Sequence, residues 1–131
     1  MRLLTFHLSL AIALACLTGC GSGLQVTNIQ LGRAVNADST VATHTTRFGP
    51  GDTVYVSVST TGRGSATIGV RWIYADRVVG EPKKQVSFKG AAATEFHLQN
   101  AGGFPPGDYK VEVLLNGQPA GTKEFKVEIP R

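Results

Sequence analysis

From about residue 24 onward the chain alternates apolar and polar positions, and no stretch of twelve residues carries a helical period. In Asp52-Thr53-Val54-Tyr55-Val56-Ser57-Val58-Ser59-Thr60 the valines fall on one face, with Tyr55, Ser57 and Ser59 on the other. That period of two marks a strand buried on one side. The same reading predicts strands over Ala66 to Tyr74, with Ile68, Val70, Trp72 and Tyr74 inward, over Gln85 to Lys89, with Val86 and Phe88, and over Thr94 to Gln99, with Phe96 and Leu98. Tyr109 to Leu115 and Thr122 to Ile129 also alternate, joined through Asn116-Gly117, a dipeptide that readily takes the positive φ values of a tight hairpin. Leu24 to Val35 completes the set as a bulged strand, because its apolar residues change phase between Val26 and Ile29.

Seven such strands predict an all-β fold, a seven-stranded antiparallel β-sandwich over residues 24–131, since a single sheet would leave one apolar face in water. Asn36 to Gly51 is the longest connection. It is either a loop or, through Val41-Ala42-Thr43-His44-Thr45, an additional edge strand.

The first twenty residues follow a different pattern. Arg2 precedes an uncharged run rich in Leu and Ala, and small residues follow, which is the anatomy of a secretory signal. Leu8 to Leu17 is half the roughly 20 apolar residues a membrane-crossing helix needs, so a permanent span is disfavoured. Leu17-Thr18-Gly19-Cys20 resembles a bacterial lipobox. The resemblance implies removal of residues 1–19, a diacylglyceryl thioether and an N-acyl chain on Cys20, and a short tether over residues 20–23. It implies attachment to a membrane, because two or three acyl chains hold a small domain where one does not. In Gram-negative lipoproteins an aspartate after the cysteine retains the protein in the inner membrane. Gly21 stands there, so the resemblance implies the outer membrane, facing the periplasm. The alternative is an ordinary secretory signal cut after Ala13-Leu14-Ala15, leaving Cys16 and Cys20 in a soluble product.

With the leader gone, about 112 residues remain, enough for one core. An acylated Cys20 leaves no thiol for a disulfide or a thiolate metal site. Loss of Arg2 sets twelve Lys and Arg against nine Asp and Glu, an excess suited to an anionic surface and far from the density of a nucleic-acid binder.

Trp72 on the third strand, and Phe104-Pro105-Pro106-Gly107-Asp108-Tyr109 leading into the sixth, make the chain similar to an immunoglobulin or fibronectin-like sandwich. Tyr109 takes the place of a tyrosine-corner residue, and Val56 and Val111 take the places where antibody domains carry their cysteine pair. The chain also resembles small bacterial lipoproteins that end in a Gly-x-Tyr-x-Val-x-Val, Asn-Gly, Phe-x-Val series. Lacking that cysteine pair, the chain is closer to disulfide-free bacterial envelope modules than to antibody domains, and the resemblances imply a fold but no activity.

Sites are sparse. Asp52 and Asp108 follow Gly/Pro turns and read as residues that launch strands, not as catalytic acids. His44 and His97 have no His-x-His or His-x-x-x-His neighbour to anchor a metal, so no metal site and no cofactor is expected beyond the acyl chains on Cys20. Tyr55, Glu95 and His97 would gather on one outer face if the second and fifth strands pair. Ile73 and Leu114 are expected to project outward beside Arg71, Lys110 and Glu112, so Arg71, Ile73, Glu112 and Leu114 form the candidate interaction patch. Arg63, Arg71, Arg77, Lys83, Lys84 and Lys89 concentrate positive charge in mid-chain, suited to anionic headgroups or to a solvated edge that resists aggregation. The resulting expectation is a lipid-anchored, non-enzymatic envelope module whose partners are the membrane and another envelope protein. A small-ligand or surface-glycan binder is the alternative, and an envelope enzyme ranks last.

Overall fold

The computed structural model describes residues 23–130; the leader, the lipobox and Cys20 lie outside the described residues. Nine strands follow one another: β1 Gln25–Gly32, β2 Arg47–Phe48, β3 Val54–Thr61, β4 Gly64–Tyr74, β5 Arg77–Gly80, β6 Lys83–Phe88, β7 Ala92–Leu98, β8 Gly107–Leu115 and β9 Gln118–Val127. They form a three-stranded sheet, β1-β3-β7, and a six-stranded sheet, β2-β9-β8-β4, in which β5 and β6 share the remaining edge of β4. All pairs are antiparallel except β2 beside β9.

Alternation places the core where the sequence predicts it. Val54, Val56 and Val58 of β3 are fully buried, as are Ile68 and Trp72 of β4 and Val111 and Val113 of β8. They meet Phe96 of β7 and Phe125 of β9 across the gap between the sheets. β1 carries the predicted bulge, its register shifting between Val26 and Asn28. Asn116 (φ 51°) and Gly117 (φ 80°) make the β8–β9 turn, and the Asn116 side chain also accepts the Thr67 N–H at 2.9 Å, tying that turn to β4.

The seven-strand count is corrected to nine by β2 and β5. After Tyr74 the chain reverses through Ala75 (φ 50°) and Asp76 (φ 60°), and β5 pairs back onto β4. Asp76 is a residue type that tolerates such a turn, but Ala75 is not one that composition marks for it. Gly80 on β5 faces Trp72, where an added Cβ would lie 3.3 Å from the indole Cδ1. β2 arises from the long connection. Val41 is buried and bridges Val35, His44 bridges Gly32, and only at Arg47–Phe48 does the backbone settle into a short parallel strand. The Lys126 N–H then donates to the Thr46 carbonyl and the Glu128 N–H to the Phe48 carbonyl.

The two ends of the sandwich differ in construction. At the far end, Phe125 packs edge-on to Phe48 (5.5 Å between centroids) and to Trp72 (6.0 Å), and stacks on Tyr109 (5.2 Å), which in turn stacks on Tyr74 (4.3 Å). The Tyr109 hydroxyl donates to the Pro105 carbonyl at 2.7 Å, the hydrogen bond a tyrosine corner requires. At the near end, where the described chain begins, Gly23 lies against the Gly62-Arg63 backbone. A Cβ at Gly23 would come within 2.6 Å of the Arg63 carbonyl oxygen, and Gly62 sits at φ 97° hard against Gly23.

Candidate interaction surface

The outer face of the six-stranded sheet carries the residues singled out from sequence, but not as one patch. Pairing sets Ile73 opposite Lys110, Arg71 opposite Glu112 and Gly69 opposite Leu114, so a charged rung separates the two aliphatics. Arg71 holds that rung by donating to Glu112 at 3.2 Å and to Glu81 of the β5–β6 link at 3.1 Å. Leu114, expected to project to solvent, is only 7% exposed, which corrects the expected exposed pair. It stays on the outer face but lies in a small notch of about 90 Å³ over Gly69, walled by Lys83 and Arg71. The Lys83 stem covers Gly69 closely enough that a Cβ there would lie 3.2 Å from its Cγ.

Ile73 finds a different apolar neighbour. It pairs with Val78 of β5, and the register shift at that point leaves Val79 as the extra residue of a bulge. Val78 and Val79 are 48% and 49% exposed, two of the large aliphatics most open to solvent among the described residues. Among the described residues, β5 is hydrogen-bonded on one side only, to β4. The signal for this pair was the Val78-Val79 dipeptide inside a segment read as a connection, where a bulge rather than alternation sets the exposure.

Ile73 also lines a shallow groove of about 710 Å³ at the far end of this face, with Arg47, Asp76, Asp108, Lys110 and Lys126 among its walls. Opposite charges interleave there, as in the Lys126–Asp108 pair at 3.7 Å.

The opposite outer face bears the second cluster. β3 and β7 pair, which is the condition for the Tyr55, Glu95 and His97 grouping, with Tyr55 opposite His97 and Ser57 opposite Glu95. His97 Nδ1 lies 2.6 Å from Glu95 Oε1, and the Tyr55 and His97 rings are 5.5 Å apart. Lys84, on the edge strand of the other sheet, passes over the Phe96 ring at 5.0 Å and donates to the Glu95 backbone carbonyl, with its ammonium 3.4 Å from the carboxylate. Glu95 is therefore a clasp across the open seam between the sheets. Ser57 beside it is fully buried with an unpartnered hydroxyl, closed to any substrate.

Asp52 is structural, as its turn position suggests. Its carboxylate accepts the Gly49 N–H at 2.7 Å and Arg33 Nε at 2.9 Å, and those bonds, the backbone one foremost, hold its pKa below the ordinary carboxylate value. Asp108 is exposed, and among the described residues its one ion pair is with Lys126. His44 is exposed beside its backbone bridge to Gly32. Among the described residues no group of three or more His, Cys, Asp and Glu side chains is placed to hold a metal.

No family model matches the chain, and no curated protein matches it in sequence. Solved structures do. An immunoglobulin-like protein from Pseudomonas aeruginosa is similar at a TM-score of 0.56 and 11% identity over 84% of this chain and 100% of that one. A β-glucosidase from Listeria innocua, solved in complex with glucose, is similar at a TM-score of 0.52 and 13% identity over 81% of this chain, which spans 16% of the enzyme's length. At such identities the likeness concerns the fold alone: the described domain is an immunoglobulin-like, all-β structure.

Proposed function

We propose that this chain is a lipid-anchored, non-enzymatic module of the cell envelope that contacts another protein at the membrane surface, with Cys20 carrying the acyl chains and the periplasmic face of the outer membrane as its address. The structural observation that carries the contact reading is the Ile73–Val78–Val79 aliphatic cluster on an edge strand paired on one side, rimmed by the Arg71–Glu81–Glu112 charges. An apolar centre with a charged margin is the anatomy of a protein interface, and a free edge permits strand addition. Glu95 and His97 line neither groove described above, and Glu95 is committed to the seam through Lys84, which favours a binding role over catalysis.

Two measurements test the proposal. Mass spectrometry of the mature amino terminus should find acylated Cys20; a terminus beginning at Cys16 would remove the anchor. Crosslinking in intact envelopes should give a discrete adduct that an Ile73→Asp, Val78→Asp double variant loses while its melting curve stays that of a folded domain. An adduct indifferent to the substitutions would remove the surface. The small-ligand or surface-glycan reading draws on the mixed-charge groove beside Ile73, and it would replace the first if Lys110→Glu abolished binding of a saccharide to the purified protein while the adduct persisted.

A further inference from the structure

The near end of the sandwich has an unusual charge composition. It is built from the start of β1, the β3–β4 turn at Gly62-Arg63, the β6–β7 link at Lys89-Gly90-Ala91 and the β8–β9 turn at Asn116-Gly117. Pairing places these together: Gln25 opposite Thr61, Gly64 opposite Phe88, Thr60 opposite Ala92, with Asn116 bonded to Thr67. In those segments the charged residues are Arg63 and Lys89, both exposed, and none is acidic. Neither side chain has an ion pair among the described residues. The far end, in contrast, is of mixed sign: Asp38, Asp52, Asp76, Asp108 and Glu128 stand there with Arg33, Arg47, Arg77 and Lys126, and three of those bases are paired with three of the acids.

Where the chain enters this end decides what Arg63 and Lys89 face. Gly23 is already packed against the Arg63 backbone, so its position is set by the fold. Only three peptide units connect Cys20 to it, a reach of at most about 11 Å even when fully extended. Acyl chains on Cys20 would therefore hold the near end to within roughly a screening length of the headgroups, about 8 Å at physiological ionic strength.

We propose that the near end is a lipid-docking pole, on which Arg63 and Lys89 contact the phosphates of an anionic phospholipid leaflet and stand the sandwich upright with its far end and its β4–β5 aliphatic surface away from the membrane. This rests on the acylation of Cys20 proposed above. Each basic residue held at such a surface favours the docked orientation by about fivefold, whereas the mixed charges of the far end give the inverted orientation no comparable attraction.

The test uses the mature acylated protein reconstituted in phosphatidylcholine vesicles with and without phosphatidylglycerol, read by amide hydrogen exchange. Expected is slower exchange over residues 61–65 and 88–92 in the anionic vesicles, by about tenfold or more from the two residues together. The protection should vanish in high salt and in an Arg63→Gln, Lys89→Gln variant, with exchange in the β3 and β8 core unchanged as a control for folding. The salt arm needs no substitution, so a poorly folded variant does not spare the proposal. Equal exchange of the incorporated protein in both vesicles overturns the docking pole and leaves the anchor standing. Failure to incorporate, with an unacylated terminus by mass, overturns the pole and the anchor together.

Discussion

The far end of this sandwich is closed by rings and the near end by bare backbone. At the far end Phe48, Phe104, Tyr74, Tyr109 and Phe125 interlock, and Arg33 lies over the Phe48 ring at 5.6 Å while its side chain bonds the Asp52 carboxylate and the Arg47 carbonyl. At the near end Gly23 and Gly62 let main chains meet with no side chain between them. Aromatic closure stabilises by removing large apolar areas from water and tolerates some rearrangement of the rings. Glycine closure contributes little burial and tolerates no added atom. The long loops therefore cluster at the end where aromatic mass can hold them, and the end nearest the proposed anchor is kept short.

Substitutions at the two ends should expose that contrast. Phe125→Ala removes the ring that touches three other aromatics and should cost about 3–5 kcal/mol in denaturant unfolding. Gly62→Ala adds a single methyl group at φ 97°, where it would collide with the Gly23 backbone, and should cost about 1–3 kcal/mol in the same assay. A loss there near zero would mean that the near end yields, and the contrast would fail.

Tyr109→Phe keeps the stacking and removes the bond to the Pro105 carbonyl, for about 1 kcal/mol. Burial foremost, and the neighbouring Tyr74, raise the Tyr109 pKa above its ordinary value of 10. A raised value means that the contribution is intact below pH 10 and is lost as pH climbs through the folded-state value. The Phe variant should lack that alkaline loss in a pH series of thermal melts. Asp52→Asn should have the smallest effect, below about 1 kcal/mol at neutral pH, because the carboxylate is partly open to solvent. Its pKa is depressed, so the wild-type contribution is present above about pH 4 and fades as pH falls through the folded-state value. The Asn variant should lose that acid dependence.

Much of this architecture is legible in the chain because alternation is a direct record of which face is buried. The inward valines of β3, the bulge of β1, the β8–β9 turn and the Tyr109 corner all follow from local residue order. What is not legible depends on partners distant in sequence. Leu114 alternates to the outer face like an exposed residue, and only the glycine opposite it, with the Lys83 stem laid across, explains why it is covered. β5 is not legible because Asp76 alone, beside an alanine, does not announce a reversal, and its two valines share exposure only because a bulge suspends the period of two. The Tyr55–Glu95–His97 grouping was readable once β3 and β7 were paired, whereas the reach of Lys84 between sheets was not, since nothing in the order of residues measures a gap.

The valines at 56 and 111 have a consequence for handling and for biogenesis. With both fully buried where a cystine would otherwise stand, the described domain contains no sulfur-sulfur crosslink to be made or broken. Its folding needs no oxidant and no thiol-exchange catalyst, and a reducing agent leaves its stability unchanged. It can therefore reach the same native state on either side of a membrane whose two sides differ in redox poise.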